Sequence, residues 1–167
     1  MNIFEIFECE DDLADYLDKN TCDWMGGFSK VWDLSHLTGK NLVLKVTEDE
    51  PYQVFLDFID KHPELKHLPK VHDHIIIDGC SYVLLDKLTE AGIYLDEYAC
   101  SQGWWEHDTQ VWEGLSPSLD KTLNELETWF NNYQEIHQLH WDLRDSNVMK
   151  EPFGELLITD PWSSVQY

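Results

Sequence analysis

Three residues near the end of the chain have the types and spacing of a reaction centre. Asp142 stands two after His140 in His140-Trp141-Asp142-Leu143, Asn147 comes five residues after Asp142, and Asp160 comes thirteen after Asn147. Apolar residues flank them: Leu143, Val148 and Met149 around the first two, and Leu156-Leu157-Ile158 before the third. A carboxylate in such a loop could accept the proton of an attacking hydroxyl. An amide oxygen and a second carboxylate are hard donors, suited to Mg²⁺ and through it to nucleotide phosphates. Such chemistry needs further groups upstream to hold the phosphates, and elements to present them.

The upstream pattern is strand-rich. Residues 8–19 read as a short amphipathic helix with Leu13, Tyr16 and Leu17 on one face and acids in its early turns. Trp24-Met25-Gly26-Gly27-Phe28-Ser29-Lys30-Val31-Trp32 reads as two strands joined by a tight turn. That turn is either an ordinary hairpin or one whose N–H groups approach phosphates. Residues 41–46 follow as an apolar strand interrupted by Lys45. A lysine there is costly unless paired, so it is either an edge-strand solubility lysine or a phosphate ligand. Residues 51–61 look helical, with Pro51 in the first turn after Glu48, Asp49 and Glu50. Gln53 and Asp57 are its available polar positions, and Asp57 is the better anion.

Four histidines follow: His62, His67, His72 and His74. His72 and His74 would share one face of a strand over 72–78 and could pair on a metal, but no cysteine is near and the spacing matches no zinc module. Surface and packing roles are the default. Asp78-Gly79 predicts a hairpin turn into an apolar strand from Ser81 to Leu88. Trp104, Trp105 and Trp112 fit either a helix or an aromatic partner surface. Ser116 then caps a helix that begins at Pro117. Its apolar spacing runs through Leu119, Leu123, Leu126, Trp129, Phe130, Tyr133, Ile136 and Leu139. Strands before residue 90 and helices after it predict an α+β chain in two lobes.

Composition bounds the function. Eleven basic residues against 33 acidic ones give a net charge of −22, with 43% hydrophobic residues. That balance argues against direct nucleic-acid binding or an anionic membrane, and favours basic partners. Four scattered cysteines (Cys9, Cys22, Cys80, Cys100) suggest a reduced, cytoplasmic setting. The opening Met1-Asn2-Ile3-Phe4-Glu5 has no basic leader, and no apolar run approaches the roughly 20 residues that span a bilayer.

In this order the motifs resemble those of protein kinases. His140-Trp141-Asp142-Leu143 with Asn147 is similar to the H-x-D-L-x-x-x-N loop, Asp160 to the Asp of D-F-G, and Leu44-Lys45-Val46 to the lysine strand. The pattern also resembles the kinase domain of the early Ser/Thr kinase of short-tailed lytic coliphages. The shared features are the turn from Gly26 or Gly27 to Ser29, Tyr52 with Phe55, Asp142 through Met149, and Ile158-Thr159-Asp160-Pro161. The resemblance spans residue 25 to about 164, nearly the whole chain.

The resemblance implies one domain over 1–167, with a small antiparallel-sheet N-lobe (1–88) and a minimal helical C-lobe (89–167). It implies transfer of the γ-phosphoryl group of ATP to Ser or Thr, with Asp142 aligning the nucleophile and Asn147 and Asp160 ligating Mg²⁺. Lys45 with Gly26, Gly27, Phe28, Ser29 and Val31 would cradle the phosphates. The backbone of Asp86 and Leu88 would meet the adenine edge, and Arg144 would steady the transferred phosphate. Asp57 or Gln53 would partner Lys45. Trp141 stands where most kinases have Arg, so control by a phosphorylated activation loop is not expected. The chain stops seven residues after Asp160. That implies weak activity alone, a homodimer that completes the substrate surface, or action on itself.

Basic host proteins of transcription, translation or defence would be the substrates, in the host cytoplasm if the chain is phage-encoded. Small-molecule phosphotransfer is a second enzymatic reading. The competing class is a pseudokinase or acidic kinase-fold inhibitor, DNA-mimicking in the extreme, that acts by binding.

Overall fold

The computed structural model describes residues 1–91, 116–143, 145–151 and 154–164 and gives an α+β protein. Its chain divides into two compact units: Met1–Asp49 with Pro69–Lys87, and Glu50–Leu68 with Leu88–Tyr167. The first unit thus ends one residue before the boundary expected at Leu88. Residues 50–68, expected with the strands, group with the later part of the chain.

The first unit is built on a five-stranded antiparallel sheet. Its strands are β1 (Trp24–Met25), β2 (Ser29–Asp33), β3 (Leu42–Thr47), β4 (Val71–Ile77) and β5 (Cys80–Asp86), in the order β1-β2-β3-β5-β4. Alternation along β3 sends Leu42 and Leu44 to one face, where they are buried with Trp32, Leu34 and Leu84. Helices α1 (Ile3–Ile6) and α2 (Glu10–Lys19) contribute Ile3 and Leu13 to the same cluster, and Phe7 joins them from the link between. Although only four residues long, α1 is held at both ends of its first turn. Asn2 and Glu5 form a capping box, and the Ile3 N–H donates to Asp73 Oδ2 at 2.7 Å.

The opposite parity carries a polar row. Ser29, Thr47 and Ser81 are in register across β2, β3 and β5, and all three are buried. One step along, Lys45 lies between Val31 and Val83 and is only 9% exposed. Since β3 has a partner on each side, the edge-strand reading of Lys45 is excluded. The turn between β4 and β5 has positive φ at both Asp78 (50°) and Gly79 (84°), as the sequence pair predicts. At the far end of β4 the register shifts between Val71 and Asp73, which breaks the simple alternation that would have set His72 beside His74. His72 instead lies with its Nε2 2.7 Å from Asp86 Oδ1. Among the described residues no group of three or more His, Cys, Asp or Glu could hold a metal ion.

The second unit is organised by aromatics. Tyr52, Phe55 and Phe58 on α4 (Glu50–Lys61) recur every three residues, so one side of the helix is a continuous ring surface. Phe55 and Phe58 meet Trp162 edge-on at centroid distances of 6.0 and 6.1 Å. Phe58 also meets Trp129 of α5 (Pro117–His137) at 5.6 Å. Ser116 caps α5 as expected, its side chain accepting from the Leu119 N–H. The expected apolar stripe holds through Leu119, Leu123 and Leu126, whereas Ile136 is 71% exposed. The helix ends on Gln138 with φ 51°, and that left-handed turn lets Leu139 return to the interior. Small ladders complete the unit: β6 (Thr89–Glu90), β8 (Val148–Lys150) and β9 (Leu156–Ile158) in the order β6-β8-β9, and β7 (His140–Trp141) paired with β10 (Trp162–Ser163).

No helix among the described residues is long and apolar enough to cross a membrane. Where the first unit ends, the Lys87 N–H donates to Asn41 O at 2.9 Å and its Nζ donates to Asp33 Oδ2 at 2.6 Å. The Lys87 bond, helped by those from Ser35, holds the Asp33 carboxyl well below the usual carboxylate range. A carboxyl lowered on folding contributes stability above its unfolded pKa of about 3.9 and loses it as pH falls. In urea denaturation, wild type should therefore exceed Asp33→Asn in stability at pH 6, and the gap should shrink as pH falls below about 4.

Candidate active site

Asp142, Asn147 and Asp160 all lie in the second unit. Two ladders bracket them. On one side Trp141 pairs with Trp162 and His140 with Ser163, which fixes the residue before Asp142 against the residue two beyond Asp160. On the other, Val148 pairs with Ile158, which fixes the residue after Asn147 against the residue two before Asp160. The loop 142–147 and the turn 159–161 are thus held face to face, and backbone bonds close the gap. The Asp142 N–H donates to Pro161 O at 2.8 Å, and the Thr159 N–H donates to Asn147 O at 2.9 Å. The Thr159 hydroxyl donates to the same carbonyl at 3.1 Å.

Within the loop, a 3₁₀ turn over Asp145–Asn147 carries Asn147 back toward the start. Its Nδ2 donates to the Asp142 carbonyl at 2.7 Å, a bond buried from solvent. That bond settles which end of the amide is which: the NH₂ is committed to the loop backbone, and Oδ1 is the acceptor end. Ser146 Oγ stands 3.4 Å from Oδ1. Asp142 and Asn147 are each 8% exposed, and Asp160 is half-buried. Asn147 and Asp160, the expected metal ligands, carry hard oxygen atoms of the kind that suits Mg²⁺ better than a thiophilic ion.

Tyr52, which sequence reading marked only as part of a helix pattern, opens the aromatic side of α4. It is 1% exposed, and burial followed by the nearby Asp160 charge pushes its phenol well above the ordinary tyrosine value. His67, read as part of a connector, proves to be a tether. Its Nδ1 is 2.7 Å from Leu156 O, its Nε2 2.8 Å from Ser118 Oγ, and its carbonyl accepts from the Ile158 N–H at 2.9 Å. It joins β9 to the start of α5. Nδ1 donates to the Leu156 carbonyl, and Nε2 shares the second bond with the Ser118 hydroxyl. His62 stacks on Phe58 at 4.2 Å. His62 thus serves packing, which the default reading anticipated.

The remaining expected site residues belong to the first unit, apart from Gln53, Asp57, Leu88 and Arg144. The glycine turn folds tightly: Gly26 N–H donates to Ser29 O at 2.8 Å, so that amide is used within the turn. Phe28 O accepts from Thr47 Oγ1 at 3.1 Å and ties the turn to the end of β3. The Trp24 indole lies over Gly26, where an added Cβ would sit 2.4 Å from the ring. Gly27 and Phe28 are exposed, Ser29 faces the buried polar row, and Val31 is the direct cross-strand neighbour of Lys45. Asp86 closes the β3–β5 ladder opposite Leu42, and Leu88 is half-buried. On α4, Asp57 is exposed and Gln53 half-buried. Arg144 and the Trp104, Trp105 and Trp112 segment lie outside the described residues.

No family model matches the chain. A stretch of 57 residues is 33% identical to aldehyde dehydrogenase family 3 comG of Dictyostelium discoideum, covering 34% of this chain and 12% of that protein. At that coverage the likeness shows neither a family nor an activity.

The Asn147 bond gives the loop a measurable weakness. Removing the donor leaves the Asp142 carbonyl buried without it, which costs about 1–3 kcal/mol. Asn147→Ala should lower stability by that amount in urea denaturation. Asn147→Asp, which sets oxygen against oxygen, should lower it further at pH 7.

Proposed function

We propose that the chain is a protein-kinase-like phosphotransferase of two-lobed fold that moves the γ-phosphoryl group of ATP to Ser or Thr hydroxyls of basic proteins. The observation that carries this reading is the backbone-clamped convergence of Asp142, Asn147 and Asp160. Three hard-oxygen side chains, at the spacing phosphoryl transfer uses, are held by two ladders and three hydrogen bonds. The position of Lys45, buried in a central strand beside Val31 of β2, is compatible with it.

Bound Mg²⁺-ATP would supply the phosphoryl group, with its charge offset by the cation. The chain's own residues divide the remaining work. Asp142 accepts the proton of the substrate hydroxyl and aims its oxygen. Asn147 Oδ1 and the Asp160 carboxylate hold Mg²⁺. The Lys45 ammonium and the 26–31 turn hold phosphate oxygens, with Gly27 and Phe28 the exposed part of that turn. The backbone of Asp86 and Leu88 recognises the base, and Arg144 steadies the transferred group. The charge of −22 selects basic protein substrates and disfavours nucleic acid.

The same charge favours a second reading, in which the fold binds a basic host protein as an acidic pseudokinase or inhibitor without transfer. The two separate on nucleotide. With Mg²⁺-ATP at about 100 times its Kd, a competent site gains about 2.7 kcal/mol. The wild type should therefore show a clear upward thermal shift that Asp160→Ala loses. Labelled phosphate should reach basic proteins with wild type and fall about 10²–10⁴-fold with Asp142→Ala. A wild type that nucleotide leaves unshifted refutes the enzyme. A shift without transfer, with a protein target bound equally well after Asp142→Ala, favours the binder.

A further inference from the structure

The sheet of the first unit has an open side at β4. In the order β1-β2-β3-β5-β4, that strand has a neighbour only in β5. The turn at Asp78-Gly79 is two residues long with both φ values positive, so Ile77 and Cys80 close it as a hydrogen-bonded pair. Bonded and non-bonded pairs alternate along an antiparallel ladder. Ile75 with Tyr82 and Asp73 with Leu84 are therefore bonded pairs, and the N–H and C=O groups of His74 and Ile76 point away from β5. Among the described residues no hydrogen bond reaches those outward groups. Both side chains are exposed as well, Ile76 by 56%.

Edge strands that stay alone are guarded by a lysine, a proline or a bulge. The bulge of β4 lies between Val71 and Asp73, and Pro69 and Lys70 stand just before it. The half nearer the turn has no such guard. It reads His74-Ile75-Ile76-Ile77, with three β-branched residues in a row. One end of the strand is protected, and the other is shaped for pairing.

Charge selects the occupant. A second copy would bring another −22 to the contact. Carboxylates also gather at the open half itself. Asp78 is in the turn, and the register of Thr47 opposite Ser81 sets Glu48 beside Cys80, the partner of Ile77. Burial pushes the Tyr82 phenol up, and the charges of Cys80, Asp78, Glu10 and Glu48 raise it further. These acids border the face that carries Ile75 and Ile77, whereas Ile76 lies on the other face. We propose that residues 74–77 of β4 dock an extended segment of a basic protein, which adds to the sheet as a further strand. Backbone bonds to His74 and Ile76 give the pairing. An apolar residue of the segment covers Ile76, and its alternate lysines or arginines meet Glu10, Glu48 and Asp78. The docking serves a substrate or a bound target equally, so it goes beyond the phosphotransferase reading.

The probe is a short fluorescent peptide of alternating lysine and valine, titrated with the full chain and read by anisotropy. Charge alone would bind it, so backbone methylation separates the two causes. Methylating the amides of all the valines, or of all the lysines, leaves the charge unchanged. One of the two should weaken binding about 10-fold or more, and the other should not. In residue-resolved hydrogen exchange of the free chain, the His74 and Ile76 amides should exchange faster than those of Ile75 and Ile77, and the probe should slow them. Ile76→Pro removes an N–H that β5 does not use, so the urea midpoint should stay near wild type while probe affinity falls about 10-fold. If Ile76→Pro does not fold, Ile76→Lys decides, since it keeps the N–H and sets a like charge against the basic strand. Equal binding of both methylated probes would overturn the proposal, as would unchanged affinity in Ile76→Lys. Slow exchange at His74 and Ile76 in the free chain would mean that the edge is already covered, by this chain or a second copy, and would overturn it too.

Discussion

The hydrogen bonds that join the 142–147 loop to the 159–161 turn are the constraint on which the candidate site depends. Among their described residues neither segment has regular structure of its own beyond one 3₁₀ turn. Loops of that kind ordinarily sample many conformations, each ordered residue costing about 1–2 kcal/mol of backbone entropy. Here Asp142 N–H to Pro161 O and Thr159 N–H to Asn147 O join the two directly. The β7–β10 and β8–β9 ladders fix both pairs of ends. Two short ladders with a cross-bonded gap between them let residues thirteen or more apart in sequence act as one rigid set.

Such short ladders are not stable alone, since isolated two-stranded pairings are marginal in water. Trp162 supplies what they lack. It is the partner of Trp141 in the ladder and, at 1% exposure, also the side chain against which Phe55 and Phe58 close. Removing a buried aromatic of this kind costs about 3–5 kcal/mol, more than the two cross-bonds at about 1 kcal/mol each. Aromatic packing therefore fixes where the turn lies, and hydrogen bonding fixes its detailed shape. His67 adds a third hold, linking Leu156, Ile158 and Ser118 through one side chain.

Sequence reading found the longer elements for identifiable reasons. The 3.6-residue spacing marked α2 and the buried part of α5, Pro51 after three acids marked α4, and Asp78-Gly79 marked the hairpin because two positive φ values demand such a pair. It missed what has no period. The pairs β7, β8 and β10 are two or three residues long, too short for alternation to show, although they position the site. The capping box that signals α1 was readable in Asn2 and Glu5. Tyr52 and His67 escaped because one resembled a packing residue and the other lay in a connector. Ile136 was over-read, since a helical stripe continues in sequence past the point where neighbours stop covering it.

The donors around the clamp share a property that the composition makes sensible. Against 33 acidic residues the chain has 11 lysines and arginines, and Lys19 and Lys87 are already paired with Asp15 and Asp33. Cations for fixing buried carboxylates are therefore scarce. The hydrogen bonds that cross the clamp come from backbone N–H, the Asn147 amide and the Thr159 hydroxyl, which are neutral groups. In a chain of −22 the self-repulsion of the folded state is large, and any bound cation relieves it. A metal in this loop would therefore gain from the whole charge of the protein as well as from its immediate ligands, and the long-range part of that gain would be screened by salt over about 8–10 Å.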